Sequence, residues 1–302
     1  MYLPFIKHRK IFYTISAALV ILAVVSIFIF GLKLGIDFTG GSSLEIAYQS
    51  VPPSSQEIRE ALKDLNLGEI IVQKSGQDGV IIKMKDISEG THQRILERLK
   101  RLGEVKEGSE SFQSIGPVIG RELTKKTKIV LTLALISILI YIAFSFRRIS
   151  RPVRSYVYGL TSLIALGHDV LIPLGIFAVL GKFYGVEITI PIITAFLTVF
   201  GYSINDSVVV FDRIRENLLK TQEPTFDLTV EKSLNQSLTR SLNTSLTTML
   251  VLFSIFLFGG ETLRYFSLAL ILGISFGTYS SLFLASPLLV TIYRFKQRKF
   301  EK

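Results

Sequence analysis

The sequence predicts a polytopic α-helical membrane protein that carries one small α+β domain outside the membrane. Three observations support this fold class. Of the 302 residues, 49% are hydrophobic, and the mean hydropathy is +0.46. Six apolar runs are close to the roughly 20 residues that a helix needs to cross the hydrocarbon core. Finally, about 95 residues separate the first two runs, which is too long for a simple connection and enough for a small domain.

The six apolar runs are the predicted transmembrane helices. The first follows a basic cluster at residues 7–10 and could be mistaken for a signal peptide. Its apolar run is too long for a cleavable signal and ends without a small-residue cleavage site, so we expect an uncleaved anchor. The predicted spans are Ile11–Gly31, Ile129–Phe146, Tyr156–Gly181, Ile188–Phe211, Leu242–Phe258 and Phe266–Tyr293.

The basic residues predict that both termini lie in the cytoplasm. Segments 1–10, 147–155, 212–241 and 294–302 together carry 17 Lys and Arg residues, whereas the short loops 181–187 and 259–265 carry one each. This asymmetry follows the positive-inside rule and predicts a multi-pass membrane protein with both termini on the cytoplasmic side.

The net charge of +10 does not indicate a nucleic-acid partner, because segment 32–128 is nearly neutral, with 15 basic and 14 acidic residues. Anionic membrane lipid accounts for the surplus beside the helices. The chain has no cysteine, which excludes a disulfide framework and thiol chemistry.

Between the first two spans the pattern predicts a βαββαβ order, typical of a ferredoxin-like fold. Ser54 and Glu57 form a predicted capping box. His92 is expected to be solvated, and the pattern shows no metal cluster, phosphate loop or nucleophile–base pair. The predicted elements are Ser42–Gln49, Ser54–Asn66, Glu69–Lys74, Val80–Met84, Thr91–Leu102 and Val105–Ser114. The predicted domains are 1–33 (amino terminus and first span), 34–123 (outer domain) and 124–302 (remaining spans).

Two glycine-containing strings mark the edges of this domain, "LGIDFTGGS" (34–42) and "GPVIGREL" (116–123). Gly40 and Gly41 can supply unusual backbone dihedrals, and Pro117 can begin a helix. Taken alone, the two strings are better explained as a helix stop and a turn than as a functional site.

Polar residues interrupt three spans. His168 and Asp169 lie near the middle of the third, Asn205 and Asp206 lie in the inner third of the fourth, and Arg240 opens the fifth. Asp206 and Arg240 are at similar depths and could pair. Two interpretations remain open: a buried ion pair that fixes two helices, or a protonatable carboxylate on an ion path, tuned by the arginine.

Small residues on the sixth predicted span indicate close helix packing. Gly273 and Gly277 form a GxxxG pattern, with Ser281 one turn further along the same face. We interpret this pattern as a packing surface only.

Six spans, one outer domain after the first, and the strings "GIDFTGG", "GPVIGREL" and "GYSINDSVVVFDRIREN" together resemble SecF-type chains of the bacterial SecD/SecF protein-export family, within the resistance–nodulation–division superfamily. The resemblance covers essentially the whole chain, and the last string is the most specific. It implies that Asp206 is the membrane carboxylate of ion coupling and Arg240 its partner, with Asn205 in the same signature. His168 and Asp169 match a third-span pair. The glycine strings contribute Gly35, Asp37, Gly40, Gly41, Gly116, Pro117 and Gly120.

The resemblance also implies a location, the bacterial cytoplasmic (inner) membrane, and a function. SecD–SecF is thought to use the proton or sodium gradient to draw secreted polypeptides out of the SecY channel on the outer side. The implied partners are SecD, a SecY-type channel, YajC or YidC, the translocating preprotein and membrane lipid, with no cofactor other than H⁺ or Na⁺ and no enzymatic turnover. A lone carboxylate suits either ion. Two alternatives stay open: a small-molecule or lipid exporter half of the same superfamily, and a non-transporting assembly scaffold.

Overall fold

The computed structural model describes residues 3–145, 153–220 and 223–300. The chain divides into two compact units. The helical unit comprises Met1–Leu32, Leu131–Val186 and Ile190–Lys302, and the α+β unit comprises Lys33–Val130 and Glu187–Thr189. The short piece Glu187–Thr189, from the connection between two long helices, thus belongs to the α+β unit.

The helical unit is built from long helices. Within the described residues, five helical stretches are long and apolar enough to cross a membrane: Arg9–Phe30, Ser155–Tyr184, Ile190–Lys220, Phe226–Phe258 and Leu263–Gln297. The predicted second span lies on a further helix, but its end at Phe146 is outside the described residues, so that crossing stays a prediction. The helices are α1 (Arg9–Phe30), α5 (Pro117–Ser145, whose first part belongs to the α+β unit), α6 (Ser155–Tyr184), α7 (Ile190–Lys220), α8 (Phe226–Phe258), α9 (Glu261–Ser280) and α10 (Ser286–Phe300).

One helix begins earlier than the sequence indicates. The fifth span was predicted from Leu242, but α8 begins at Phe226 and includes the segment 226–241 before it; the helix is capped by Thr225, whose hydroxyl accepts from the Leu228 N–H. The reason is that the polar residues of this segment recur at helical spacing and are buried. They are Thr229, Ser233, Ser237 and Ser241.

The sixth predicted span is one long helical stretch with a wide turn inside it. A π-helical turn, Ser281–Ala285, joins α9 to α10. Turns of this kind contain one more residue than an α-helical turn and often occur at functional sites.

In the α+β unit, four antiparallel strands form a sheet in the order β2-β3-β1-β4. The register places Leu44 opposite Ile82 and Phe112, and Leu44 and Ile82 belong to the core beneath the helices. The element order along the chain is the predicted βαββαβ. The elements are α2 (Ile36–Thr39), β1 (Gly41–Ala47), α3 (Ser55–Leu62), β2 (Ile71–Ser75), β3 (Gly79–Met84), α4 (Glu89–Leu102) and β4 (Ser111–Ile115).

Local features of this unit follow from single residues. The predicted capping box is present, since Ser54 Oγ accepts from the Glu57 N–H and the Glu57 carboxylate accepts from the Ser54 N–H. The last strand begins at Ser111 rather than Val105, because Val105 makes only an isolated bridge to Tyr48 before the chain turns.

His92 is buried, so the prediction that it is solvated is wrong. Its Nδ1 lies 3.0 Å from Glu89 Oε1, and its Nε2 lies 3.0 Å from Glu110 Oε1 without hydrogen-bond geometry. The ring stacks on Phe112, with 3.9 Å between the ring centroids. The aromatic contact and the two flanking carboxylates make burial of this imidazole tolerable.

The two glycine strings pack against each other, backbone to backbone. Gly40 has φ +75°, as the predicted turn requires, and a Cβ atom there would lie 2.9 Å from Pro117 Cα. A Cβ on Gly120 would lie 2.9 Å from the Gly40 nitrogen and 3.1 Å from the Phe38 oxygen. The glycines are therefore needed for close approach as well as for turning the chain.

The remaining residues of the two strings lie around this contact. Asp37 is in the first turn of α2. Gly41 has φ +130°, and a Cβ there would lie 2.8 Å from the Met84 oxygen. The Gly120 N–H donates to the Gly116 oxygen.

The segment Glu187–Thr189 is attached to the start of the α+β unit. Leu34 and Ile188 form a parallel bridge, in which the Ile188 N–H donates to the Lys33 oxygen (2.7 Å) and the Gly35 N–H donates to the Ile188 oxygen (2.9 Å). The Glu187 side chain, 9% exposed, lies 3.0 Å from Lys83 Nζ and 3.6 Å from Lys33 Nζ. These contacts hold the segment against the α+β unit, so it is not a free loop.

Candidate functional site

Asp206 is buried inside the helical unit, with 8% of its surface exposed. It lies sixteen residues after Ile190, the first residue of α7, which is about 24 Å along the helix. Its Oδ1 accepts from Ser241 Oγ of α8 at 2.7 Å, and its Oδ2 accepts from Ser281 Oγ of the π-turn. The carboxylate therefore connects three helical elements through two hydroxyl donors.

Arg240 does not pair with Asp206. The guanidinium side chain is exposed on the surface of this chain, and no ion pair between the two residues occurs among the described residues. Because neighbouring residues of an α-helix point about 100° apart, Ser241 faces the carboxylate while Arg240 points away from it. The predicted pairing within one chain is wrong.

Asp169 is fully buried and accepts three hydrogen bonds. Its Oδ1 accepts from His168 Nδ1 at 2.8 Å. Its Oδ2 accepts from Ser203 Oγ of α7 at 2.6 Å and from Ser280 Oγ of α9 at 2.7 Å. This second carboxylate connects α6, α7 and α9.

His168 is also buried, and two contacts hold its ring. Its Nδ1 lies 2.8 Å from Asp169 Oδ1, and the ring lies on Tyr279, with 5.8 Å between the centroids. Within the described residues Nε2 has no hydrogen-bond partner. His168 therefore places a buried imidazole next to Asp169.

Asn205, the neighbour of Asp206, is exposed and is not part of this buried cluster. Of the two glycines of the GxxxG pattern on α9, Gly277 lies next to the cluster and Gly273 lies next to Val199. A Cβ on Gly277 would lie 3.5 Å from Asp169 Oδ2, and a Cβ on Gly273 would lie 2.2 Å from Val199 Cγ2 of α7. Packing is thus only part of what this face does, since it brings α9 close to the carboxylates.

Sequence reasoning named Ser281 only as a packing residue and did not name the other serines that bind the two carboxylates, which are Ser203, Ser241 and Ser280. Serine is common in membrane helices and often bonds only its own backbone, so single serines carry little signal. A usable signal is present, however: Ser280 and Ser281 are consecutive in an apolar run, and Ser203 lies one helical turn before Asp206.

The arrangement suits the binding and release of a small cation. Two buried carboxylates, four hydroxyl groups and an imidazole meet inside helices that are long enough to span a membrane. Ionisable residues in such positions are costly and usually mark ion paths. The fold and the site therefore define a class: a polytopic membrane protein with an α+β domain and carboxylates buried in its spans.

Comparison with known proteins identifies the family. Residues 95–295 match the family model described as protein export membrane protein SecD/SecF, C-terminal, and residues 25–50 match the model of the SecD/SecF GG motif. The chain belongs to the SecD/SecF protein-export family.

Named relatives and solved structures agree with this. The chain is 41% identical over 299 residues to protein translocase subunit SecF of Thermobaculum terrenum, covering 95% of this chain and 92% of that protein. It is 40% identical to the subunit of the same name from Rhodothermus marinus, covering 96% and 92%. The crystal structure of SecDF from Thermus thermophilus, a translocon-associated membrane protein, superposes with a TM-score of 0.82 at 32% identity. That match covers 97% of this chain but only 39% of the SecDF chain.

Proposed function

We propose that this chain is the SecF half of a SecD–SecF complex that uses a proton or sodium gradient to promote late protein translocation through the Sec channel. In this proposal both termini are cytoplasmic, and the α+β unit is a ferredoxin-like domain on the outer face. The observation that carries it is the position of Asp206, buried in α7 and held by hydroxyls of two other helices. The names of the relatives support the export role.

The proposal gives Asp206 a defined task. A carboxylate held only by neutral hydroxyl donors can take up a proton or Na⁺ without breaking a salt bridge within the chain. Uptake changes the charge at the contact of α7, α8 and the π-turn, and those helices then shift. Asp169 and His168 lie in the same helical unit and can contribute a second binding group.

Seven exposed polar residues of α7 and α8 are proposed to contact SecD. Uncovered polar groups in hydrocarbon are costly, so an exposed arginine on a spanning helix requires a protein partner or water. The SecDF chain, of which this chain spans about two fifths, contains enough sequence for a second half. The exposed residues are Thr194, Thr198, Asn205, Arg240, Asn243, Thr244 and Thr247.

Movement in α7 has a direct route to the outer domain. Ile190, the first residue of α7, follows Thr189, and Glu187–Thr189 are fixed to the α+β unit by the Leu34–Ile188 bridge and the two lysines at Glu187. We propose that this covalent connection transmits the change at Asp206 to the domain that handles the emerging polypeptide.

Asp206→Asn tests the proposal. In vesicles that hold this chain with SecD and the channel, we expect the gradient-dependent part of preprotein export to be lost, because the amide keeps the size but cannot exchange the charge. Asp212→Asn is the matched control: it makes the same chemical change on the same helix, at an exposed residue that pairs with Arg215, and should export normally.

The alternatives predict other outcomes. Unchanged gradient-dependent export by an assembled Asp206→Asn complex would remove Asp206 as the coupling carboxylate, make it a structural residue and leave Asp169 as the next candidate. An exporter half would show altered efflux of small molecules or lipids on deletion of the chain, with preprotein export intact.

A further inference from the structure

The two buried carboxylates are connected by consecutive residues. Ser280 Oγ donates to Asp169 Oδ2 at 2.7 Å, and Ser281 Oγ donates to Asp206 Oδ2. A second connection runs along α7, where Ser203, which also donates to Asp169, precedes Asp206 by three residues. Ser280 and Ser281, which are adjacent in the chain, thus hold one carboxylate each. Ser203 holds Asp169 and lies about one helical turn before Asp206.

The backbone at this point has an unusual geometry. Ser281 begins the π-turn, and its carbonyl oxygen accepts from Ser286 Oγ at 2.9 Å. Ser280 and Ser281 are both fully buried. A π-turn is less stable than a regular turn and is usually retained for a purpose. Here it places adjacent hydroxyls on carboxylates of two different helices, α6 and α7.

Because Ser280 and Ser281 are consecutive and each holds one carboxylate, the two carboxylates lie in the same region of the helical unit. In a medium of low dielectric constant, a negative charge on one carboxylate disfavours a negative charge on the other. The other groups around them are few. His168 bonds Asp169, Tyr279 of α9 stacks on His168, α8 presents Ser241 to Asp206, and Arg240 is exposed.

We propose that Ser280 and Ser281 join Asp169 and Asp206 into one two-carboxylate ion site, in which binding of a proton or Na⁺ at one carboxylate changes the affinity of the other. Asp169 is then an ion-binding group rather than a packing residue, and the two serines are positioning residues. The inference rests on the proposed function only where it identifies this ion with the one that drives export.

Infrared titration of the complex with SecD, in lipid, tests the coupling directly. The absorption of each protonated carboxyl group is assigned by its loss in Asp169→Asn or Asp206→Asn, and its midpoint pH is then followed in serine variants. Ser280→Ala removes a donor from Asp169 alone. We expect the Asp169 midpoint to move toward higher pH by about one unit, equivalent to about tenfold in proton affinity, because a carboxylate that loses a donor is less stabilised in its charged form.

The decisive readout is the other carboxylate. If the site is a unit, Ser280→Ala also moves the Asp206 midpoint, and Ser280→Thr, which keeps the hydroxyl, restores both midpoints. Ser267→Ala is the control, since Ser267 is a fully buried serine of α9 whose hydroxyl, within the described part of the chain, bonds the Arg264 oxygen and no carboxylate; it should move neither. An Asp206 midpoint that is the same in Ser280→Ala and Ser267→Ala would overturn the proposal.

The export assay separates this inference from the proposed function. Coupled midpoints together with normal gradient-dependent export by Asp206→Asn would keep the two-carboxylate site and remove its role in driving export. Independent midpoints with lost export in Asp206→Asn would keep the role of Asp206 and remove the coupling.

Discussion

The two glycines of the GxxxG pattern are expected to respond differently to the same substitution. Gly273→Ala places a Cβ 2.2 Å from Val199 Cγ2 and 2.7 Å from Val199 Cγ1. Gly277→Ala places a Cβ 3.5 Å from Asp169 Oδ2 and from Ser203 Cβ, which is ordinary contact distance. Both glycines lie on the same face of α9, so the surrounding helix is a shared background.

The expected cost of Gly273→Ala follows from these distances. An ordinary carbon contact is about 3.5–4.0 Å, so more than 1 Å of movement is needed. Val199 cannot easily supply it, because it is fully buried and its branched side chain has one strongly preferred rotamer in a helix. Either α9 or α7 must shift, and overpacking of this kind costs about 1–3 kcal/mol. Gly277→Ala should cost less than about 0.5 kcal/mol, since alanine also improves helix propensity.

Unfolding of the purified chain in mixed micelles, followed by circular dichroism at increasing fractions of denaturing detergent, measures the difference. The double variant Gly273→Ala/Val199→Ala should recover most of the loss, because it removes the two methyl groups that clash. Equal stability of Gly273→Ala and Gly277→Ala, or no recovery in the double variant, would refute the packing argument.

Two further predictions concern the α+β unit. Gly120→Ala should lower the stability of this unit by about 1–3 kcal/mol, because its Cβ would meet the backbone of Phe38 and Gly40. Gly90→Ala in α4, where nothing lies within 4 Å of the added Cβ, should raise the stability by about 0.5–1 kcal/mol. Thermal unfolding measures both changes, and reversed signs would contradict these distances. Two glycines inserted between Thr189 and Ile190 should abolish gradient-dependent export in the vesicle assay while the complex still assembles. The same insertion at the exposed Gly76–Gln77 turn should have little effect, and normal export by the first insertion variant would exclude transmission through this connection.

The membrane class of the chain and the burial of Asp206 could be predicted from the sequence because both depend on composition along a single segment. An apolar run of sufficient length has few stable alternatives to a helix in lipid. A carboxylate within such a run has to be buried in protein. Both features are visible without knowing which helices touch.

The partners of Asp206 could not be predicted in the same way. Depth along two helices is readable from sequence, but rotation about each helix axis is not. Whether Arg240 or Ser241 faces Asp206 depends on a rotation of about 100° about the axis of α8. Only the packing of the helices determines this rotation. Ser281 is still harder to predict, since its direction depends on a π-turn that no residue pattern in the run announces.

His92 shows the same limit in the α+β unit. Its helix has a clear amphipathic pattern, but histidine occurs on both the buried and the exposed faces of such helices. Its burial follows from contacts with Phe112 of β4 and with Glu110, which directly precedes β4. Neither residue belongs to the helical pattern of α4, so the sequence of α4 alone does not indicate these contacts. For His92, as for the partners of Asp206, contacts between different elements thus determine which side chains are buried and which groups they face.

Helix α7 is the element on which the observed contacts converge. Val199 packs against Gly273, Ser203 bonds Asp169, and Asp206 bonds α8 and the π-turn, all on one helix. In contrast to α6, which contains Pro173, and to the stretch from α9 to α10, which contains the π-turn, α7 has its only proline, Pro191, in the first turn. A helix without an interior break moves as a stiff body rather than bending locally. In the proposed function, a displacement of α7 at Asp206 would therefore be carried along about 24 Å to Ile190, where the chain enters the segment held by Lys33 and Lys83.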